Sequence, residues 1–475
     1  MTELPTISYR AVLAGKGEPI TSESQVLNYT DNPIAANVQS RASSSLPQKT
    51  EIALPSPLSD VIACEAGQTL LLHLKDARKL AVFDVPTLKI RGYINLDDGA
   101  AFVAGGARHL LVAYSVSGLI KRYDLATLAL ERTITSPVTP IVNLAMGSAS
   151  PRIALILTSR DSHRTADAHV FDVTSMSVLT TAKSHSSHLS ADATLRASAD
   201  GLTFGSARHA VSPTGFTLLT YRNGQLVEFY EHESPGLLIP NFDGSVVFTT
   251  QSGVYTRQYI PIIKGSGNWS DGTSYIPAMH PAYFLSVPYK DRRTSQPSEV
   301  ERIGIFAAGA TQPLTFVPEE LSEMVIRGEG IRLNRNDPMS LDKRYLFYPQ
   351  HNRLLTIPPT NNKIVARPLD VRQMLAGQKV EYLYVTNFAP AAEAGKTYRH
   401  KLGATTDSGR VTFTLQAGPA GLRLSPDGQV TWEVPTIARD ESVIVQLRND
   451  KGNERLHTFQ LPVLGSSAPL PVRKE

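Results

Sequence analysis

Four histidines, His163, His169, His185 and His188, are the nearest approach in this sequence to a metal-binding constellation. His185-Ser186-Ser187-His188 has a short ligand spacing, but it lies in a Ser-rich connection where no helical repeat aligns the two imidazoles. It reads as a solvated loop, and no metal site is assigned. Cys64 is the sole cysteine, so no intrachain disulfide can form and a cysteine-based zinc or iron–sulfur centre lacks ligands. Within Asp60-Val61-Ile62-Ala63-Cys64 it reads as a small packed residue.

The motifs that mark nucleophiles and phosphate sites are missing. There is no Gly-x-Ser-x-Gly elbow, no Gly-x-x-x-x-Gly-Lys-Ser/Thr loop and no Gly-x-Gly-x-x-Gly after a strand. Gly265-Ser266-Gly267-Asn268-Trp269-Ser270-Asp271-Gly272 is glycine-rich, but no helical pattern follows it to supply an anion-binding N-terminus. Trp269, one of two tryptophans, is the single candidate binding residue: an exposed indole there would anchor a partner, whereas a buried one would cover a sheet edge. No catalytic or cofactor-binding residue is assigned. A propeller hydrolase of the lactonase kind would need unlike groups converging from separate repeats, which no spacing in the sequence reveals.

The carboxylates that do recur are Asp84, Asp124 and Asp172. Each ends an apolar strand after an aromatic residue: Leu80-Ala81-Val82-Phe83-Asp84, Ile120-Lys121-Arg122-Tyr123-Asp124 and Ala168-His169-Val170-Phe171-Asp172. Thr87, Thr127 and Ser175 follow three positions later. An aspartate so placed can accept backbone N–H bonds two or three residues on, so all three read as turn formers rather than catalytic acids. They stand 40 and 48 residues apart, near the length of a four-stranded propeller blade.

A second recurrence places a turn residue and Gly before an apolar burst, read as the link between the inner strands of a repeat. It appears at Ala66-Gly67, Thr214-Gly215 and Asp243-Gly244, with Ser340-Leu341-Asp342-Lys343 as a weaker copy. Short apolar runs separated by turn signals, together with 32 Gly and 32 Pro, indicate an all-β chain. Boundaries are expected near residues 97, 137, 185, 235, 273 and 321, with an inserted loop around 263–300. Beyond Met374 the period changes to strand-like runs at Val380–Val385, Tyr398–Leu402, Val411–Leu415, Val430–Val434 and Val443–Leu447.

With 47 basic and 43 acidic residues interleaved, the net charge is only +4, and no basic run suits nucleic acid. No apolar stretch of about 18 residues occurs, so membrane insertion is not expected. The first thirty residues lack a basic segment followed by an apolar one. The expected location is therefore cytoplasmic for a chain starting at Met1, and envelope or exported for a piece of a larger protein.

At Leu70–Asp84 and Met146-Gly147-Ser148-Ala149-Ser150 the chain resembles the WD-like or YVTN-like propeller proteins of planctomycete-type bacteria. The resemblance spans most of residues 55–465 and implies no activity. The C-terminal segment is similar to the cadherin-like, immunoglobulin-like domains of bacterial proteins, through Gly395-Lys396-Thr397-Tyr398 and Gly421-Leu422-Arg423-Leu424-Ser425-Pro426-Asp427-Gly428-Gln429-Val430-Thr431-Trp432. There Pro426-Asp427-Gly428 should form a tight turn and Trp432 should plug the core. The aspartate-rich calcium pattern of cadherins is absent, so calcium is not implied. Tyr384-Val385-Thr386-Asn387 spells the YVTN tetrapeptide outside the repeats and is read as coincidence.

These readings combine into an all-β chain: a seven-bladed β-propeller over 55–375 followed by an immunoglobulin-like β-sandwich over 376–465. A leader, 1–54, can donate one strand, and a loose tail covers 466–475. The expected function is a non-enzymatic protein-binding scaffold or sensor with a protein partner and no cofactor. The alternative is an envelope or extracellular module binding carbohydrate or surface protein, and a lactonase-like hydrolase stands third.

Overall fold

The structure is a computed structural model. It describes residues 48–464, apart from 161–164, 183–187, 209–210, 223, 266–270, 291–296, 299–301, 319–320, 325, 328–338, 377–380, 388 and 439–440, together with short strand pieces between 7 and 27.

Among the described residues seven four-stranded antiparallel sheets follow one another along the chain. Their first strands are Asp60–Cys64, Phe102–Gly105, Ile141–Met146, Thr194–Ala197, Leu238–Pro240, Asp271–Pro277 and Tyr345–Tyr348, numbered sheets 1 to 7 in that order. All seven of these strands line one central cavity, which makes the molecule a β-propeller with its innermost strands around a channel. Separate apolar clusters fill the gaps between successive sheets, including the gap between sheet 7 and sheet 1, where Leu346, Leu355 and Ile364 pack against Leu70, Leu72 and Phe83.

The outermost strand of sheet 7 comes from the other end of the chain. Thr50–Ala53 pairs antiparallel with Lys363–Pro368, Ile52 opposite Ile364, so the last sheet and the ring are completed by residues that precede sheet 1. Arg353, fully buried in sheet 7, fastens the same seam: its Nη1 donates to the carbonyls of Val85 and Pro86 in sheet 1 at 2.7 and 3.1 Å.

The recurring aromatic-Asp pattern has a common backbone cause. In sheets 1, 2 and 3 the pairing of third and fourth strands slips by one residue at Val82/Phe83, Arg122/Tyr123 and Val170/Phe171, a β-bulge just ahead of each aspartate. Each aspartate then caps the turn. Asp124 Oδ1 accepts from the N–H groups of Ala126 and Thr127 at 3.0 and 2.9 Å. Asp172 accepts from Thr174 and Ser175, and Asp84 from Thr87. The turns end in left-handed residues, Leu88, Leu128 and Met176, whose side chains drop into the clusters beside them. Gly92 makes room for this, since a Cβ there would lie 2.5 Å from Leu128 Cδ1.

Several expected positions move. Residue 273 is not a boundary, because it falls inside the strand Asp271–Pro277. The extra length expected around 263–300 falls at the end of that range, at 291–303 between strands of sheet 6, and a second long connection, 317–344, separates sheets 6 and 7. Ala66-Gly67 and Asp243-Gly244 do link first and second strands. Thr214-Gly215 joins the second and third strands of sheet 4, and Ser340–Lys343 precedes the first strand of sheet 7 as part of the short helix Leu341–Arg344.

Beyond the helix Val371–Leu375 lies a second unit of two three-stranded sheets. One pairs Thr397–Lys401 with Gln429–Glu433 and Arg423–Leu424; the other pairs Val411–Ala417 with Glu441–Asn449 and Glu454–Leu461. Val443, Val445 and Leu447 alternate inward from the long middle strand and meet Phe413, Phe459 and Trp432 in one core. Trp432 is 2% exposed, with its Nε1 donating to the Ala420 carbonyl. Ser425 and Gly428, at φ +91°, close the Pro426-Asp427-Gly428 turn through Gly428 N–H to Ser425 carbonyl. Tyr384 lies in the strand Leu383–Val385 of this unit, outside the propeller. No helix among the described residues is long and apolar enough to cross a membrane.

Candidate functional site

An antiparallel meander puts its turns at alternate ends, so the seven sheets give the propeller two different faces. The links between first and second strands, and between third and fourth, share one face with the aspartate turns. The second unit sits on that face. Val371 and Leu375 of the connecting helix are buried against sheets 6 and 7. Tyr384 shares a hydroxyl–hydroxyl bond with Tyr283 at the start of the second strand of sheet 6, and Arg372 donates to Thr405 Oγ1 at 3.1 Å. The opposite face carries the sheet-to-sheet connections and the links between second and third strands.

The channel is a funnel of about 570 Å³. Small residues near the ends of the inner strands hold it open: Ala63, Ala104, Ala145, Ala197, Pro240 and Ala278 all line it. Toward the aspartate-turn face it narrows to a floor. There the Ala66 N–H of sheet 1 donates across to the Ser148 carbonyl of sheet 3 at 2.8 Å. A Cβ on Gly147 would collide with the Ser198 carbonyl at 2.2 Å, which is why the floor needs glycine at that point.

At the wide end, charges from three sheets meet. Arg196 of sheet 4 reaches Asp342 in the helix before sheet 7, Nε to Oδ2 at 2.5 Å and Nη2 to Oδ1 at 3.3 Å, and it also donates to Ser340 Oγ at 2.7 Å. Lys343, the next residue, pairs with Asp60 of sheet 1. Burial alone would raise the Asp342 carboxyl, but the guanidinium holds it below the ordinary carboxylate range. Burial likewise lowers the Lys343 ammonium, while Asp60 pulls it back up. The four charges form two neutral pairs that brace the mouth. Nothing local marks these pairs, because Ser340-Leu341-Asp342-Lys343 has the pattern of a turn and its partners lie far away in the sequence.

Two further groups stand at the mouth beside Asp60. His73 lies directly opposite Asp60 in the pairing of the first two strands, is 6% exposed and lines the funnel. Its Nε2 has no hydrogen-bond partner. Burial lowers its pKa, while Asp60 and the Gly99 carbonyl pull upward. Lys75 follows two residues later and also lines the funnel.

The residues singled out from the sequence are spread elsewhere. Asp84, Asp124 and Asp172 belong to separate turns and do not converge with one another. Burial would raise Asp124 and Asp172, but bonds from the turn N–H groups and from Arg108 and Arg152 hold both below the ordinary value. Trp269 lies outside the described residues, as do His163 and His185. His169 is buried between Thr158 and Thr181, bonded to both hydroxyls, and His188 stacks on Tyr230 near Glu228. Cys64 is fully buried, and burial pushes its thiol up.

Among the described residues one cluster has metal-ligand types: donor atoms of His109, Asp124 and Glu131 lie within 4.8 Å of one another. Arg108 bonds Asp124 and Arg122 bonds Glu131, so both carboxylates already have cations.

No family model matches the chain, and neither does any curated sequence. Among solved structures, U3-55K aligns with a TM-score of 0.44 and 10% identity, over 68% of this chain and 98% of that one. The RRP9 WD40 repeats give 0.44 and 10% over 69% and 99%. The Myceliophteria thermophila Cps50 (Swd1) β-propeller domain gives 0.41 and 11% over 68% and 99%.

Proposed function

We propose that the protein is a non-enzymatic scaffold that binds a protein partner on the propeller face opposite its second unit. We read the seven sheets as seven blades and the C-terminal unit as an immunoglobulin-like sandwich of cadherin-like type that props the other face. The observation that carries this reading is the asymmetry of the connections. The strands joined through 183–193, 208–215, 291–303 and 317–344 all end on the open face, and Pro297–Ser298 pairs there with Ile326–Arg327, whereas 308–314 is the longest link on the face that holds the sandwich. Long loops on a rigid frame are where recognition residues sit. Val116 and Val211, 96% and 45% exposed, are displayed on open-face loops. Trp269, in the stretch joining sheets 5 and 6, is our proposed anchor on the same partner. The paired charges of the funnel mouth favour bracing over catalysis, since each carboxylate is already committed to a cation.

The test is site-specific photocrosslinking of the full chain in its own cells, with the reactive residue at Val116 on the open face or at exposed Ala126 in an aspartate turn. A discrete crosslinked polypeptide from Val116 and none from Ala126 is expected. Crosslinking from Ala126 alone, or from neither, would overturn the assignment.

A further inference from the structure

We propose that the funnel is also a small-molecule site, and that its ligand is an amphiphilic monoanion with a hydrocarbon tail and an N–H or O–H donor next to its anionic group. This inference is independent of the partner surface proposed above. It rests on the cavity itself and on two polar groups at its mouth.

The volume of about 570 Å³ lies within the usual range for ligand pockets, about 300–1,000 Å³. Its lower part is lined by Ala63, Ala104, Ala145, Ala197 and Pro240, beside the Ala66–Ser148 bond that crosses the channel, with no charged side chain in that tier. Ser148 and Asn241 are the polar residues at that end, and the alanine and proline walls between them favour hydrocarbon. The mouth has the opposite character. Arg196, Lys343 and Lys75 face Asp60 and Asp342 there, three cations against two carboxylates, so one positive charge is left over. The ion pairs use Arg196 and Lys343 and leave Lys75 as the cation for a ligand's negative charge.

The donor requirement comes from His73. We assign the imidazole proton to Nδ1, toward the Gly99 carbonyl, which leaves Nε2 as a buried lone pair without a partner. An unmade bond at a buried polar atom costs stability, and a ligand donor there removes that cost. His73 lies near the end of the strand Thr69–Leu74 and Lys75 opens the turn that follows, and both line the same mouth of the funnel. A ligand with its anion at Lys75 therefore presents its neighbouring donor to His73 Nε2. An N-acylated α-amino acid has this order of groups: tail, N–H, one carbon, carboxylate.

The test is calorimetric titration of the full chain with N-decanoylglycine, N-decanoylsarcosine, which lacks the N–H, and N-decanoylglycinamide, which lacks the charge. One molecule of N-decanoylglycine per chain is expected, with each analogue at least about ten-fold weaker, the size of one lost polar contact. Lys75→Met, at an exposed position, should weaken the glycine derivative about ten-fold and leave the amide unchanged. His73→Phe should erase the preference for glycine over sarcosine. No saturable heat with the wild-type chain, several molecules bound per chain, equal affinity for the three probes, or an unchanged Lys75→Met would each overturn the proposal.

Discussion

Replacing Asp200 with Asn should make the protein more stable at neutral pH and slightly less stable in acid. Asp200 is 7% exposed in the first turn of sheet 4, where its Oδ1 accepts from Ser198 Oγ at 2.5 Å and from the Leu202 N–H at 2.9 Å. Burial pushes its carboxyl up to about 6, against the pull of those two bonds and with a smaller push from Asp243. An unfolded aspartate titrates near 3.9. Between these values the native state binds more protons than the unfolded state, so stability falls as pH rises through about 4 to 6 and stays at the lower level above. Two units at about 1.4 kcal/mol each set the cost of the ionised carboxylate at about 3 kcal/mol.

Asparagine keeps the Oδ1 acceptor and carries no charge at any pH. Its new N–H groups must find acceptors or water, which returns about 1 kcal/mol of the gain. A net stabilisation of about 1–3 kcal/mol is expected at about pH 7.5, giving way to a loss of up to about 1 kcal/mol below about pH 4. Chemical unfolding of both proteins across that range gives the difference directly. The histidines that burial lowers, such as His400 and His457, are common to both proteins and cancel. A difference that stays flat with pH, or a mutant that loses stability as pH rises, would refute the reasoning.

Asp124→Ala removes bonds to two turn N–H groups and to Thr127 Oγ1, and should lower stability by about 1–2 kcal/mol in a thermal melt without changing partner crosslinking from Val116. The Arg108 pair adds little to that figure, because the guanidinium side is 70% exposed. Arg353→Met should cost more, about 3 kcal/mol, because it strips a buried donor from the Val85 carbonyl at the seam between sheets 7 and 1. Protease cleavage that does not become faster near residues 50–53 in this variant would argue against the seam as the weak point.

The parts of this fold that were legible are those written by local chemistry. Asp124 meets its partners two and three residues on, so the aromatic-Asp repeat carries the bulge, the turn and the period together in five adjacent letters. Trp432 and the Pro426-Asp427-Gly428 turn are local in the same way. The later sheets lose the aromatic-Asp mark, so the boundary expected near 273 falls a few residues inside the first strand of sheet 6, and the insertions at 291–303 and 317–344 break the period further on without any signal of their own.

The funnel could not be read in that manner. Arg196 and Asp342 are 146 residues apart, and Lys343 and Asp60 are 283 apart. Their meeting is a consequence of ring closure, and closure depends on a strand from 50–53 whose four residues carry no distinguishing pattern. One signal was present and went unused. Ile62-Ala63-Cys64, Val103-Ala104-Gly105, Leu144-Ala145-Met146 and Arg196-Ala197-Ser198 place alanine near the end of four successive inner strands, where β-branched residues would fit a strand better. A packed core selects bulk at such positions. Small residues repeated there indicate that the space beyond them is kept open, and the same alignment that revealed the aspartate turns therefore also marked the cavity that they surround.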